Sequence, residues 1–92
     1  MVRNQEFPHL WNCQSIEIKG QIYLTGGSIA NSKTYLKNTY VLDESVWRFN
    51  QLADMNHARD AHGIIAWKNH FMIVVGSWHV EASTKTVEMY DI

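Results

Sequence analysis

The sequence predicts an all-β fold made of antiparallel four-stranded sheets, and two observations support this prediction. Short segments rich in β-branched and aromatic residues alternate between polar and apolar positions, as half-buried strands do. A repeat with an offset of 50 residues runs through most of the chain. No stretch longer than a few residues has the period of a helix. The chain is therefore expected to contain two copies of one β unit.

Three pairs of segments carry the repeat. They are residues 15–18 and 65–68, residues 22–27 and 72–77, and residues 40–43 and 88–91. The first two pairs are 50 residues apart and the third is 48 residues apart, so one connecting loop is two residues shorter in the second copy. Length changes of this kind are typical of a surface loop between strands.

Seven strands follow from the alternation and from the turn residues between them. The expected strands are residues 14–19, 21–26, 37–43, 46–52, 62–68, 70–76 and 86–91. Lys19 and Gly20 supply the turn of the first strand pair, and Lys68 and Asn69 supply the corresponding turn in the second copy. The aliphatic run in residues 70–76 predicts a strand that is buried on both faces.

The composition is that of a globular protein that binds neither nucleic acid nor membranes. Of the 92 residues, 46% are hydrophobic and 18% are charged. The net charge is −1 and the charges are interspersed, so no basic stripe can follow a phosphate backbone. The longest aliphatic or aromatic run, residues 71–75, is too short to cross a bilayer, and residues 1–6 lack the apolar core of a signal peptide. We therefore expect a soluble, intracellular protein of the cytoplasm.

The cysteine and histidine residues predict neither a disulfide nor a metal site. Cys13 is the only cysteine, which excludes an internal disulfide and fits a reducing compartment. The five histidines do not have the spacings that zinc motifs use; His57 and His62, for example, are separated by a predicted turn. We therefore expect no metal and no other cofactor.

A series of spaced residues resembles the kelch repeat. The series comprises Trp47, Leu52, Met55, Arg59 and His62, followed by a strand pair and then Gly76 and Ser77. In that family a unit has a diglycine after its second strand, a Tyr on its third, a Trp on its fourth, and then a Met, an Arg and often a His before the next blade. The resemblance extends from about Ile16 to the end of the sequence. It implies a partial β-propeller built of antiparallel four-stranded kelch blades.

The resemblance divides the chain into three parts. Residues 1–14 form a diverged N-terminal segment, residues 15–55 form kelch repeat 1, and residues 56–92 form kelch repeat 2, which lacks its fourth strand. Ser77 stands where the family has the second glycine. Rings of about four blades are the smallest usually seen. The chain is therefore expected to be a fragment that needs further blades or self-association to close a ring.

Nine residues occupy positions to which the resemblance assigns structural roles. They are Gly26, Gly27, Tyr40, Trp47, Met55, Arg59, His62, Gly76 and Tyr90. The glycine pair allows positive φ where strands converge. The aromatic residues Tyr40, Trp47 and Tyr90 are expected to fill the space between adjacent blades. The guanidinium of Arg59 is expected to bond backbone carbonyls or a carboxylate.

Kelch-like propellers mostly bind other proteins, so the resemblance implies a protein partner. The family binds at one mouth of the ring, through positions that are here Ser28, Ile29, Asp60, Ala61, Trp78 and His79. Trp78 is the expected anchor, because an aromatic side chain at a loop tip is a typical binding hot spot. Packing of Trp78 beneath its own loop is the other role open to it, since tryptophan is highly buried on average.

Two further interpretations stay open beside a binding module. Some kelch-like propellers are oxidases or sugar-modifying enzymes, but a copper-radical oxidase needs a Tyr cross-linked to a Cys, and Cys13 has no evident partner. The candidates for acid–base chemistry are Asp43, Asp60 and Asp91, and two of these follow a third strand, where an Asp side chain commonly bonds backbone N–H groups. The last interpretation is a truncated product without an independent function. We expect a binding module and not an enzyme.

Overall fold

In the part of the chain that the structure describes, short antiparallel strands form three sheets. The computed structural model describes residues 10–29, 33–81 and 84–92. Its strands are β1 (Leu10–Trp11), β2 (Gln14–Ile18), β3 (Gln21–Thr25), β4 (Ser28–Ile29), β5 (Thr39–Asp43), β6 (Arg48–Leu52), β7 (Gly63–Trp67), β8 (Phe71–Val75) and β9 (Val87–Asp91). Sheet 1 has the order β2-β3-β5-β6, sheet 2 has the order β7-β8-β9, and β1 pairs with β4. All pairings are antiparallel and the described residues include no α-helix, which confirms the all-β prediction.

The seven predicted strands are present, with each end within two residues of its predicted position. Some of the excess residues, such as Lys19, Trp47 and Lys68, lie in turns. Lys19 and Gly20, for example, have φ values of 52° and 79°, as the two central residues of a type I′ hairpin turn require. The pair β1–β4 was not predicted, because two-residue strands show no alternation. Residues 1–9, most of the predicted N-terminal segment, lie outside the described residues.

The hydrophobic core lies between sheet 1 and sheet 2. Its buried side chains are Ile18 and Tyr23 from sheet 1, Met72 and Val74 from sheet 2, and Met55 from the connection between them. The partly buried residues packed against them are Ile16, Val41, Leu52, Ile64, Tyr90 and Ile92. Each fully buried side chain of this size contributes about 1.5–3 kcal/mol, so the contact between the two sheets is a major source of stability.

The prediction that β8 is buried on both faces is wrong. Met72 and Val74 are fully buried against sheet 1, whereas Phe71 and Ile73 are only partly buried and Val75 is exposed. Alternate residues of a strand point to opposite faces, and here only one face is covered. We call the opposite side of β7, β8 and β9 the outer face of sheet 2; it carries Ile65, Trp67, Phe71, Ile73, Val75, Val87, Met89 and Asp91. A purely aliphatic run does not reveal which of its faces is covered.

Arg59 is fully buried, and its guanidinium bonds sheet 2 through all five of its N–H groups. Nε and Nη2 donate to Oε2 of Glu88 at 3.2 and 3.0 Å, and Nη2 also donates to Oγ1 of Thr86 at 2.7 Å. Nη1 donates to the carbonyls of Gly76 and Thr86 at 2.9 and 3.0 Å. Because every donor is paired with a carbonyl, a hydroxyl or a carboxylate, the buried charge is fully compensated.

The same residue also connects the loop before β7 to sheet 1. The carbonyl of Arg59 accepts a hydrogen bond from the N–H of Gly27 at 2.7 Å, and its own N–H donates to the carbonyl of Leu36 at 3.0 Å. The carboxylate of Glu88 in turn accepts the N–H groups of Asn56 and His57 at 2.5 and 3.0 Å. The ion pair between Arg59 and Glu88 therefore fixes the course of this loop relative to both sheets.

Gly26 has to be a glycine because of this arrangement. Its φ is +62°, and a Cβ at this position would overlap the carbonyl oxygen of Arg59 and lie 2.8 Å from Cε1 of His62. Gly20 also has a positive φ, of +79°, but a Cβ there would meet no atom within 4 Å. The two glycines thus share the backbone conformation and differ in the space around them.

Replacing Arg59 by Met is expected to remove about 3–5 kcal/mol of stability, because it leaves the Glu88 carboxylate without its buried counter-charge. This is a large part of the roughly 5–15 kcal/mol that stabilises a typical domain. Urea denaturation measures the loss. Arg48→Met is the matched control on an exposed strand position, where a change of less than about 0.5 kcal/mol is expected. Equal midpoints for the two variants would contradict the role given to Arg59.

Gly26→Ala and Gly20→Ala form a second matched pair. The Gly20 variant should lose about 1 kcal/mol, the usual penalty for a left-handed residue other than glycine. The Gly26 variant should lose at least about twice as much, because the new methyl group also overlaps the Arg59 carbonyl. Thermal denaturation followed by circular dichroism compares the two. A smaller loss for Gly26→Ala than for Gly20→Ala would show that the loop yields to the methyl group.

Candidate functional site

Three loops meet at one edge of the two sheets. They are the segment after β3, the loop before β7 and the segment after β8. The N–H of Gly27 bonds the carbonyl of Arg59, and the N–H of Trp78 bonds the carbonyl of Asp60 at 2.9 Å. The six residues predicted to bind a partner, which are Ser28, Ile29, Asp60, Ala61, Trp78 and His79, therefore lie on adjoining segments. We call this region the loop edge.

The buried carboxylate of Asp60 organises the loop that follows β8. Asp60 is fully buried and accepts hydrogen bonds from Oγ of Ser77 at 3.0 Å, from the N–H of His79 at 3.1 Å and from Nδ1 of His79 at 2.5 Å. Burial alone raises the pKa of this carboxyl, but the hydrogen bonds from His79 and Ser77 outweigh that effect, and the pKa lies below its ordinary value. Asp60 is therefore ionised at neutral pH.

The ionised carboxylate in turn orients the His79 ring. A carboxylate can only accept hydrogen bonds, so Nδ1 of His79 must carry a proton. In the neutral ring this leaves Nε2 as a hydrogen-bond acceptor. The ring also stacks on Tyr35, with centroids 5.8 Å apart and planes 18° from parallel. His79 is thus held in one orientation and one tautomer while about 44% of its side chain stays exposed.

Trp78 does not pack beneath its own loop. Its side chain is 76% exposed, and its ring meets the ring of His79 edge to face at a centroid distance of 6.5 Å. Its backbone is fixed by the hydrogen bond to Asp60. The sequence left two roles open for Trp78, an exposed anchor at the loop tip and packing beneath the loop. Its exposure is compatible with the first role.

A pocket of about 390 Å³ lies beside His79. It is lined by Trp11, Asn12, Ser28, Ile29, Lys33, Tyr35 and His79. Its size is in the range of ligand pockets, and aromatic rings form much of its wall. The ionisable side chains among the lining residues are those of Lys33, Tyr35 and His79, and the carboxylate of Asp60 is buried behind His79. The pocket therefore offers aromatic surface together with hydrogen-bonding and positively charged groups.

Not all predicted partner-binding residues reach the pocket. Ser28, Ile29 and His79 line it, whereas Asp60 lies buried behind them. Ala61 is exposed, has a φ of 46° and donates its N–H to the carbonyl of Asn12 at 2.7 Å, which holds the β1 segment in place. Sequence reasoning missed Trp11, Asn12, Lys33 and Tyr35, because they lie in segments without a strand period.

The three aromatic residues expected between blades lie in different places. Tyr90 packs against the core between the two sheets, and its hydroxyl donates to the carbonyl of Ala53 at 2.5 Å. Burial, with a smaller contribution from the charge of Asp54, raises the pKa of Tyr90. Tyr40 instead meets Phe49 edge to face on the side of sheet 1 away from sheet 2. Trp47 lies in the turn before β6, with a φ of 52° and 48% of its side chain exposed.

The three aspartates considered for acid–base chemistry have different surroundings. The carboxylate of Asp43 accepts the N–H and the hydroxyl of Ser45 at 3.0 and 2.6 Å, which is the expected turn role. Asp60 supports the loop edge, and Asp91 is exposed at the end of β9. In the described part of the chain no three His, Cys, Asp or Glu side chains come close enough to hold a metal ion.

His62 is buried beside Arg59 and is kept neutral by its surroundings. Its Nε2 lies 2.6 Å from Oγ1 of Thr25, and its Nδ1 has no hydrogen-bond partner among the described residues. Burial and the nearby charge of Arg59 lower the pKa of His62 to about 4, against a weaker opposing effect of Asp60. Protonation of this imidazole is therefore coupled to unfolding.

The stability of the protein should fall between pH 6.5 and pH 4 because of His62. The unfolded chain binds a proton below a pKa of about 6.5, and the folded chain binds it only below about 4, so acid favours unfolding in this window. The loss is about 2 kcal/mol between pH 7.5 and pH 5. Urea denaturation at both values should show a weaker pH dependence for His62→Gln than for the wild-type protein. The exposed His70→Gln variant should keep the wild-type dependence, and the same slope for all three proteins would contradict the assignment.

No protein-family model matches the sequence, and no curated protein matches it. The residues and distances of the loop edge are therefore the basis for inferring its ligand.

Proposed function

We propose that the chain is part of a kelch-type β-propeller and binds a partner protein through the loop edge. The antiparallel four-stranded sheet 1 and its stacking on sheet 2 support the propeller interpretation. So does the buried Arg59, which follows Trp47 and Met55 in the order that the kelch resemblance implies. The partner-binding interpretation is supported by the adjacency of the three loops that carry Ser28, Asp60 and Trp78.

The observation that carries the proposal is the exposure of Trp78 on a hydrogen-bonded loop. The side chain is 76% exposed while its backbone is hydrogen-bonded to the buried Asp60. The fixed backbone and the edge-to-face contact with His79 reduce the conformational freedom that Trp78 loses when it enters a pocket of a partner. A mobile tryptophan would have to be ordered first. Trp78 is therefore suited to be an interaction anchor.

The pocket beside His79, the residue that follows Trp78, is suited to a peptide ligand. Trp11, Tyr35 and His79 offer ring surface, and Lys33 and Asn12 offer polar groups. Interaction surfaces are enriched in aromatic residues in this way, with polar groups around them. A peptide segment can place one side chain in the pocket and lay its backbone across Trp78.

Trp78→Ala tests the proposal. Peptides displayed on phage are selected on the purified chain, and the affinity of an enriched, labelled peptide is measured by fluorescence anisotropy. The variant should bind at least about tenfold more weakly, as truncation of an aromatic hot spot does. Its circular dichroism and its urea midpoint should stay at the wild-type values, because the side chain is exposed.

Trp47→Ala is the control, because this tryptophan is also exposed and lies in the turn before β6, away from the loop edge. It should bind the selected peptides like the wild-type protein. Equal weakening by the two substitutions, or no weakening by either, would refute the loop edge as the binding site. Loss of folded protein on changing Trp78 would show that this residue has a structural role instead.

A further inference from the structure

Three cross-strand neighbours form a row in the pocket beside His79. Trp11 on β1 lies directly opposite Ser28 on β4, and Ser28 lies directly opposite Tyr35. Residues that are directly opposite in antiparallel pairs project from the same face of the sheet. All three line the pocket, and Ser28 is buried. The row therefore has an aromatic side chain at each end and a small side chain in the middle.

The spacing of this row leaves room for one flat ring. Neighbouring strands lie about 4.8 Å apart, so the backbones at Trp11 and Tyr35 are separated by roughly 10 Å. Aromatic rings in contact have centroids about 4.5–7 Å apart, so a third ring between these two can touch both. The pocket volume of about 390 Å³ is large enough for such a ring and its substituents.

Two polar groups at the pocket determine which ring fits. The bond from Nδ1 of His79 to Asp60 leaves Nε2 of the neutral imidazole as an acceptor. The ammonium group of Lys33 can only donate. A ring that satisfies both must carry a group that donates one hydrogen bond and accepts another. A phenol does both, and it keeps its proton at neutral pH because its pKa is about 10.

We propose that the pocket binds the side chain of a tyrosine of the partner protein. The ligand ring lies between Trp11 and Tyr35. Its hydroxyl donates to Nε2 of His79 and accepts from the ammonium group of Lys33. This inference rests on the proposed function, because it specifies the ligand of the same loop edge. Trp78, which is largely exposed and adjoins His79, then contacts the peptide beside the tyrosine.

Other ligand groups satisfy fewer of these contacts. A phenylalanine ring fills the space but bonds neither polar group, and a tryptophan N–H cannot accept from Lys33. A carboxylate cannot donate to Nε2 of a neutral His79, and a ligand ammonium is repelled by Lys33. A nucleobase has donors and acceptors, but the interspersed charges of the chain offer no track for a phosphate backbone.

NMR titrations of the complete chain with N-acetyltyrosinamide and N-acetylphenylalaninamide test the proposal. The tyrosine compound should shift the amide resonances of Ser28, Tyr35 and His79. It should bind about threefold to tenfold more tightly than the phenylalanine compound, which lacks the hydroxyl. Equal affinities, absence of shifts at these residues, or tighter binding of adenosine would each overturn the proposal.

His79→Asn and Lys33→Met each remove one partner of the ligand hydroxyl. The asparagine amide can still donate to Asp60 but has no counterpart of Nε2, so the preference for the tyrosine compound should fall to less than about twofold. Lys33→Met should reduce the preference by about twofold to threefold. Lys68→Met, at an exposed lysine in the turn after β7, should keep the wild-type preference.

The exposed position of Lys33 makes its variant decisive if His79→Asn does not fold. Circular dichroism establishes whether each variant is folded. An unchanged preference for the tyrosine compound in the folded variants of Lys33 and His79 would overturn the assignment of the hydroxyl.

Peptides selected on the chain separate this inference from the proposed function. Peptides that depend on Trp78 should contain a tyrosine, and its replacement by phenylalanine should weaken binding by about threefold to tenfold. Trp78-dependent peptides without such a tyrosine would refute the tyrosine pocket and leave the loop edge as the binding site. Binding of N-acetyltyrosinamide without any Trp78-dependent peptide would support the pocket and count against the proposed function.

Discussion

The ion pair between Arg59 and Glu88 is the interaction on which the rest of the structure depends. The guanidinium is buried and the carboxylate is 11% exposed, and the two charges are compensated by each other, by two carbonyls and by backbone N–H groups. A buried pair of this kind contributes little net stability compared with an apolar pair, but loss of either partner is expensive. The main effect of the ion pair is therefore on the specificity of the fold, because the pair fixes the course of the loop that joins the two sheets.

The loop edge is a consequence of that constraint. Once the carbonyl of Arg59 is fixed against Gly27, the next residue, Asp60, is directed into the interior between the segments that follow β3 and β8. Its carboxylate then orders Ser77 and His79, and His79 supports Tyr35 and the exposed Trp78. A series of contacts that begins at the buried Arg59 and Asp60 thus ends at the exposed ring of Trp78.

The sequence allowed the strands to be predicted more completely than the surfaces they carry. Alternation and turn residues located β2, β3 and β5 to β9, because these signals are local. Glu88 could not be identified as the partner of Arg59, because the two are 29 residues apart and no local pattern joins them. Trp11 and Tyr35 were missed at the pocket for a related reason. They reach it through a two-residue strand and an isolated bridge, which leave no period in the sequence.

The difference between local and distant contacts also determines the order in which the molecule can assemble. The hairpins β2–β3 and β7–β8 turn through residues with positive φ, close loops of two or three residues and can form within microseconds. The loop before β7 reaches its final course only when Glu88 on β9 has docked beneath Arg59. We therefore expect the region around Trp78 to be completed after the hairpins, so that a nascent or partly unfolded chain does not present it. A ligand that recognises the finished edge distinguishes mature molecules from immature ones.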